Sequence, residues 1–379
     1  MGQFGIQDRP AFVLVTHFVR KGDGQGRVNL EVAREALRRG LRIDLVASEV
    51  APELENHPLV RWFPVRVKGV PTHLAREIAF SMRSGRLLGR MAGSPILSNG
   101  CITSVPADVN ACHFVHSAWL KSPVHTSRLV SGIRGRYQKL YSILNSRWEK
   151  DAYRKAGKVV AVSDQVRREL LDIGIGADRI QVVANGVDTE EFVPGASERE
   201  RFGLPTAVPL ALFAGDIRSP RKNLDTVIGA VARTEGIHLA VAGGLDGSPY
   251  PELARRLGCE DRVHFLGMVR EMPALMRSCD VFAFPSRYEA CSLVMLEAMA
   301  SGLPVLTSRT TGGSELVPPE GGFLLDYPDD LEGMTDRLRV AFSDRADLER
   351  RSRVSRARAL ELGWSTMAGR YLDLLGVSR

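Results

Sequence analysis

Short, unbroken apolar runs alternate with amphipathic stretches along the chain. In the first half AFVLVTHFV (11–19) reads as a buried strand, GRVNLEVAREALRRG (26–40) as a helix and LRIDLVAS (41–48) as the next strand. VNACHFVH (109–116), KVVAVS (158–163) and IQVVANGVD (180–188) repeat the strand pattern. Strands that are apolar throughout and separated by helices are buried on both faces, which predicts a doubly wound parallel sheet. A second round follows GASERERFGLPTAVP (195–209), a polar, Gly/Pro-rich candidate linker. Its strands are LALFAGD (210–216), IHLAVAGG (237–244), RVHFLG (262–267), DVFAFPS (280–286) and LPVLTS (303–308). Two Rossmann-like domains are therefore expected, 1–190 and 191–360, facing each other across a cleft. Open α/β sheets bind ligands beyond the carboxyl ends of their strands, so that cleft is the expected site.

One segment breaks the apolar pattern. In RYEACSLVMLEAMASGLPV (287–305), Ser292 is a good N-cap, 293–300 is helix-compatible, Gly302 suits a left-handed stop and Pro304 prevents continuation. The helix is apolar on every side except at Glu297, which predicts burial. A buried carboxylate needs partners, either a cation of the protein or the hydroxyls of a ligand. Glu289 precedes the helix, and the N–H groups of the first turn, around Cys291 to Leu293, suit an anion such as a phosphate. A diol at Glu297, a diphosphate at the helix start and a polyhydroxylated carbon at Glu289 together describe a nucleotide sugar.

Composition narrows the class. No apolar run approaches the roughly 18 residues that span a bilayer, and MGQFGIQDRP lacks a signal segment and has Ile6 where a myristoylation motif needs Ser or Thr. A cytosolic chain beginning here is expected. The five cysteines are widely spaced with no CxxC, so they are expected to be reduced and mostly buried. Residues 1–190 hold 28 Lys and Arg against 18 Asp and Glu, and the remainder 23 against 26. The basic half is either a set of solvated helix faces or an attraction for an acidic acceptor or an anionic membrane surface, peripheral to the bilayer. Nucleic acid is not expected, for want of a binding motif.

In the first half, RKGDGQGRVN (20–29) is a glycine-rich loop before a helix, with Gly26 placed to let backbone approach a phosphate or sugar. The same loop admits a dinucleotide-binding fold, but the G-x-G-x-x-G phase fails at Asn29. His116 closes the strand 109–116 and is expected at its carboxyl edge; His113, three residues earlier, points to the other face.

The segment 287–305 resembles the E-x7-E signature of the family 4 retaining glycosyltransferases of GT-B fold. SRWEKDAYRKAGKVVAVSDQVRREL (146–170), IQVVANGVDTEEF (180–192), LFAGDIRSPRKNLDTVIGAV (212–231) and ELGWSTMAGRYLDLL (361–375) follow in that family's order. The resemblance implies that Glu297 holds ribose hydroxyls, that Glu289 and His116 contact the transferred sugar and that the backbone of Cys291, Ser292 and Leu293 contacts the diphosphate. Ala290 stands where the family often has Gly. Lys222 matches the family's phosphate-binding lysine; the arginine expected after Gly215 is replaced by Asp216, leaving Arg218 as the nearest substitute and Arg221 as a shifted one. By the same likeness, 361–379 ends in a helix that packs back on the first domain.

The implied reaction is transfer of a sugar, with retention, from a nucleoside-diphosphate donor to an acceptor hydroxyl. The front-face route needs no protein nucleophile, no cofactor and, lacking an acidic cluster at a strand end, no obligatory metal ion. Closure of the two domains would exclude water. The alternatives are a non-catalytic sugar-nucleotide-binding protein, a GT-B-type epimerase and a phosphorylase, the last disfavoured by the lack of a cofactor-lysine motif.

Overall fold

The computed structural model describes residues 9–91 and 93–377, so residues 1–8, on which the expectation about the amino terminus rests, lie outside the described part. The described chain divides into two compact units. One runs up to Asn185 and takes in the chain again from Trp364; the other is Gly186–Gly363.

The first unit holds seven strands, β1 (Phe12–Val19), β2 (Ile43–Val50), β3 (Val60–Pro64), β4 (Ile96–Asn99), β5 (Val109–Cys112), β6 (Lys158–Ala161) and β7 (Ile180–Val182). They pair in parallel in the order β3-β2-β1-β4-β5-β6-β7. The chain steps outward from β1 to β3 and then returns to β4 on the other side of β1. That reversal is the switch point at which such sheets open a crevice.

The core follows from the apolar runs. Phe12 and Leu14 of β1 and Ile43 and Leu45 of β2 pack with Leu30 and Ala33 of the helix Gly24–Arg38. Met367, Tyr371 and Leu372 of the terminal helix Trp364–Leu374 complete the same cluster. The Arg27 guanidinium lies 5.2 Å from the Trp364 ring centroid, and Ser365 Oγ donates to Glu35 at 3.0 Å. Val13 and Val15 face the other way, toward Phe80 and Leu88 of the helix His73–Leu88.

The second unit repeats the plan with β8 (Leu210–Ala214), β9 (His238–Ala242), β10 (Val263–Gly267), β11 (Val281–Ala283), β12 (Val305–Ser308) and β13 (Gly322–Leu325). Their parallel order is β10-β9-β8-β11-β12-β13, with the switch point between β8 and β11.

Several expectations need correction. The strand expected over 109–116 ends at Cys112, because His116 already begins a helix, His116–Lys121. Strands β3, β4 and β13 were not expected. β3 is only half-buried and ends in proline, and β4, ILSN, is half polar. The candidate linker 195–209 is tied down: Arg199 pairs with Asp280 at 2.7 Å and donates to the Ser278 carbonyl at 2.8 Å. The Arg-rich helix Arg345–Leu360 is not solvated all round, since it buries Leu348, Ser355 and Ala359. Its Arg356 donates to the carbonyls of Phe192 and Ala300 at 2.8 and 2.6 Å. Four of the five cysteines are buried and all are free thiols. Among the described residues no helix is long and apolar enough to cross a membrane.

Candidate functional site

In the second unit the two loops leaving the carboxyl ends of β8 and β11 meet at the switch point. The β8 loop ends in a tight turn, Pro220–Lys222, followed by Asn223 at φ 64°, the only non-glycine residue with a left-handed backbone among those described. Asn tolerates that region better than other side chains, and here its amide is also needed. Asn223 is fully buried and its Nδ2 donates to the carbonyls of Pro285 and Pro328 at 2.9 and 2.6 Å. Thr226 Oγ1 donates to Asn223 Oδ1 at 2.7 Å, so the turn is pinned from both sides.

The consequence is the placement of Lys222. Its ammonium pairs with the Glu289 carboxylate, both side chains being largely buried, at 13% and 16% exposure. It also lies 5.1 Å from the centroid of the Phe284 ring. Burial lowers the Lys222 pKa, and the Glu289 carboxylate acts in the opposite sense. Arg221 Nη1 stands 3.7 Å from the same carboxylate. Arg218 is turned outward, 65% exposed, and pairs with Asp216 at 2.8 Å. The arginine sought by sequence is thus a surface group, while Lys222 is the cation built into the turn.

Glu289 is fixed by its own backbone. Gly312 N–H donates to the Glu289 carbonyl at 3.1 Å, and Ser292 N–H reaches the Gly312 carbonyl at 3.4 Å. A Cβ on Gly312 would fall 2.1 Å from the Ala290 carbonyl oxygen, so only glycine allows this approach. Behind the loop, Arg287 holds both Asp225 oxygens at 3.0 and 2.6 Å and Asp329 at 2.7 Å.

The helix Leu293–Ala300 has the expected limits, with Ser292 at the N-cap position and Gly302 at φ 81° beyond its end. The Ser292 side chain makes no capping hydrogen bond. The helix is not buried all round, as its apolar sequence predicts. Met295, Leu296, Ala298, Met299 and Ala300 are buried, while Leu293, Val294 and Glu297 are half-exposed. Positions 293, 294 and 297 share one helical face, so Glu297 marks the open side rather than the core. Val294 lines a cavity of about 640 Å³ together with Gly215, Arg218, Lys222 and Gly243. A Cβ on Gly243 would lie 2.3 Å from the Gly215 carbonyl oxygen, so this wall too requires a glycine.

His116 and Gly26 belong to the first unit. Glu149, on the helix Gly132–Lys155, accepts from His116 N–H at 3.0 Å and Ser117 N–H at 3.1 Å. Burial pushes the Glu149 carboxyl up to about 7 against the pull of those two N–H groups. The His116 ring packs edge-on to Tyr141, with centroids 5.7 Å apart, and its buried Nδ1 has no hydrogen-bond partner among the described residues. Burial lowers its pKa to about 4, and His113, also with an unpaired Nε2, behaves alike. Both rings are neutral at pH 7. His113 does not oppose His116 across a strand, since the strand has already ended. Gly26 has a local explanation: its N–H donates to the capping Asp23 Oδ1 at 2.6 Å, and a Cβ would come within 2.8 Å of the Arg20 carbonyl. A pair that sequence reasoning missed, Glu77 with His17 at 3.0 Å, stands at the same sheet edge. In the second unit the missed residues are Asn223, Gly312 and Gly313; the glycine pair in TTGGSEL just after β12 was the signal for the last two. Among the described residues no group of three or more His, Cys, Asp or Glu side chains is placed to hold a metal ion.

Comparison with known proteins agrees with both halves of this description. Residues 22–191 match the model of Glycosyltransferase Family 4, and residues 208–344 that of Glycosyl transferases group 1. A D-inositol 3-phosphate glycosyltransferase of Xylanimonas cellulosilytica is 34% identical over 242 residues, which is 57% of this chain and 58% of the relative. The chain thus spans less than two thirds of that relative's length. In fold, sucrose-phosphate synthase of Thermosynechococcus elongatus superposes with a TM-score of 0.77 at 20% identity, covering 98% of this chain and 100% of that one. Anabaena HepE in complex with UDP and glucose does so with a TM-score of 0.70 at 20% identity, covering 98% and 100%. With both of its parallel-sheet units matched, the chain has the GT-B fold and is similar in sequence to the family 4 glycosyltransferases.

Proposed function

We propose that the protein transfers a glycosyl unit from a nucleoside-diphosphate sugar to an acceptor hydroxyl, with retention at the anomeric carbon. The observation that carries this reading is the Lys222–Glu289 pair at the switch point of the second sheet, beside a helix whose open face ends in Glu297. A cation and a carboxylate held together next to a cavity of about 640 Å³ are groups that a diphosphate and a sugar would separate. The likeness to a protein solved with UDP and glucose supports the same ligand class.

In this reading Lys222, with Arg218 at the rim, neutralises the departing diphosphate, and the backbone from Ala290 to Leu293 offers it N–H groups. Glu289, released from Lys222 by the phosphate, holds hydroxyls of the transferred sugar, and Glu297 holds the ribose diol. The bond from the anomeric carbon to the phosphate oxygen breaks as the acceptor oxygen bonds from the same face, and the departing phosphate takes the acceptor's proton. No side chain is consumed and no cofactor is required; charge neutralisation by Lys222 and Arg218 takes the part that a metal ion plays elsewhere. Neutral His116 would give a sugar hydroxyl its unpaired, buried Nδ1, and the basic first unit would receive the acceptor. The protein is proposed to work in the cytosol.

The test is incubation with a panel of nucleoside-diphosphate sugars and hydroxylated acceptors, with products identified by mass and anomeric configuration by NMR. One donor class should yield a glycosylated product of retained configuration. Binding of donors without transfer or hydrolysis would instead identify a sugar-nucleotide sensor, and an inverted product would refute the front-face route.

A further inference from the structure

The first unit carries a basic and partly apolar surface on the helices His73–Leu88 and Gly132–Lys155. From Ile78 to Trp148 the sequence holds nine Lys and Arg and a single carboxylate, Asp108. Asp108 is turned to its own sheet, accepting from Ile96 N–H at 2.8 Å. Among the described residues none of those nine cations stands in an ion pair, whereas most arginines of the second unit do.

Large apolar side chains are exposed on the same elements. Ile78 and Met82 lie on the outer side of the helix His73–Leu88, Leu129 and Val130 at the turn before the helix Gly132–Lys155, and Ile133 and Leu140 on that helix. These six are all of the exposed large hydrophobics among the described residues of the first unit, and Ile133 is 86% exposed. Ile133 and Leu140 are two turns apart, hence on one face, with Arg136 between them and Arg134 and Lys139 at its flanks.

The two helices form one continuous face. Leu74 N–H at the start of the first donates to Tyr137 Oη of the second at 3.1 Å, and the rings of His73 and Tyr141 sit 6.2 Å apart. A groove of about 760 Å³ between the ends of these helices is walled by Val130, Ile133 and Tyr137, and a second groove farther along is walled by Ile78, Met82 and Trp148. Clustered exposed apolar groups mark a binding surface, and unpaired cations around them exclude a basic partner.

We infer that this face docks on the surface of an anionic lipid bilayer, Ile133 and Leu140 entering the headgroup boundary and the surrounding arginines and lysines lying along the lipid phosphates. Long cationic side chains whose stems lie on apolar surface and whose heads reach anions are suited to that boundary. A bilayer fits better than a protein partner because the charge is largely of one sign over two helices and a turn: Glu77 is paired with His17 and Glu149 accepts from backbone N–H groups, which leaves Asp151, at the rim of the second groove, as the exposed carboxylate of the two helices.

The experiment is co-sedimentation of the full chain with vesicles of phosphatidylcholine alone and of phosphatidylcholine containing phosphatidylglycerol, across a salt series. The chain should partition onto the anionic vesicles only, and rising salt should weaken the binding. Ile133→Asp combined with Leu140→Asp, and separately Arg134→Glu combined with Arg136→Glu, should each lower partitioning at least about tenfold with an unchanged circular dichroism spectrum. Absence of binding to the anionic vesicles would overturn the inference. So would binding that the aspartate pair leaves intact, which would show charge attraction without insertion, or stronger binding to duplex DNA at the same salt. The measurement needs no sugar donor, so its failure is separable from failure of the transfer reading.

Discussion

Lys222 shows how one residue is placed by its neighbour. A lysine side chain can sample many rotamers, and what restricts it is the backbone set by Asn223 at φ 64°, whose amide bridges Pro285 and Pro328. Asn223→Ala removes three buried hydrogen bonds and leaves a residue that tolerates the left-handed backbone less well than Asn, which should cost about 3 kcal/mol of stability. Asn223→Gly keeps the backbone and should be the milder variant by about 1 kcal/mol in urea unfolding. Lys222→Ala should lower turnover on the cognate donor by about 10²–10³-fold at unchanged melting temperature, since under the proposed function it removes the cation that neutralises the leaving group.

The two neutral histidines of the first unit give a pH signature at the same scale. Their folded pKa of about 4 lies below the ordinary value of 6.5, so the unfolded chain binds more protons between these limits. Stability from this source is complete above pH 6.5 and is lost as the pH falls toward 4. Glu149 acts oppositely, its carboxyl being raised from 4.5 to about 7, so that its contribution is present at low pH and lost as the pH rises through that window. His116→Asn should reduce the slope of unfolding free energy against pH between about 4.5 and 6 by about 1.4 kcal/mol per pH unit. An unchanged slope would place the ring in water.

At the scale of elements, the site depends on loops that touch only because particular glycines lack a Cβ. Gly312→Ala would bring a methyl to 2.1 Å from the Ala290 carbonyl, so the loop carrying Glu289 must move. Nucleoside diphosphate affinity should fall more than about tenfold by calorimetry, while Gly236→Ala, at a turn with open space around it, should leave affinity intact. These relations explain what could be read from sequence. The helix Leu293–Ala300 was legible because its N-cap residue, its apolar run and its glycine stop are local signals. The degree of burial of Glu297 was not, since a helix apolar on all sides does not reveal which side a sheet will leave open. The pairing of Lys222 with Glu289 was not legible either: 67 residues separate them, and their meeting depends on adjacency of β8 and β11. Arg218 was singled out because it lies nearest the glycine in sequence; its surface pairing with Asp216 was not legible. Strands within longer apolar runs, such as β1 and β8, announced themselves; the half-polar β4 did not.

At the scale of the whole molecule, the chain folds as two sheets of one plan, but the first unit is closed by residues from the far end of the sequence. Met367, Tyr371 and Leu372 are buried in the cluster shared with β1 and the helix Gly24–Arg38. At about 1.5–3 kcal/mol for each large side chain, their loss is comparable with the 5–15 kcal/mol that a domain has in total. A chain ended at Gly363 should therefore show a protease-sensitive first unit, while limited digestion leaves a resistant fragment close to 186–363; equal resistance of both units would contradict this. The net positive charge, concentrated before residue 190, belongs to this scale as well, since it acts on what the molecule approaches rather than on how it folds.

The central claim, that the second unit is built to hold a nucleoside diphosphate between Lys222 and Glu297, is tested most directly by calorimetric titration of UDP, GDP and ADP into the wild-type protein, Glu297→Ala and Lys222→Ala. The wild type should bind one of the three at a single site, and each variant should bind it at least about tenfold more weakly without a change in melting temperature. Binding of none of the three, or equal affinity in all three proteins, would contradict the account.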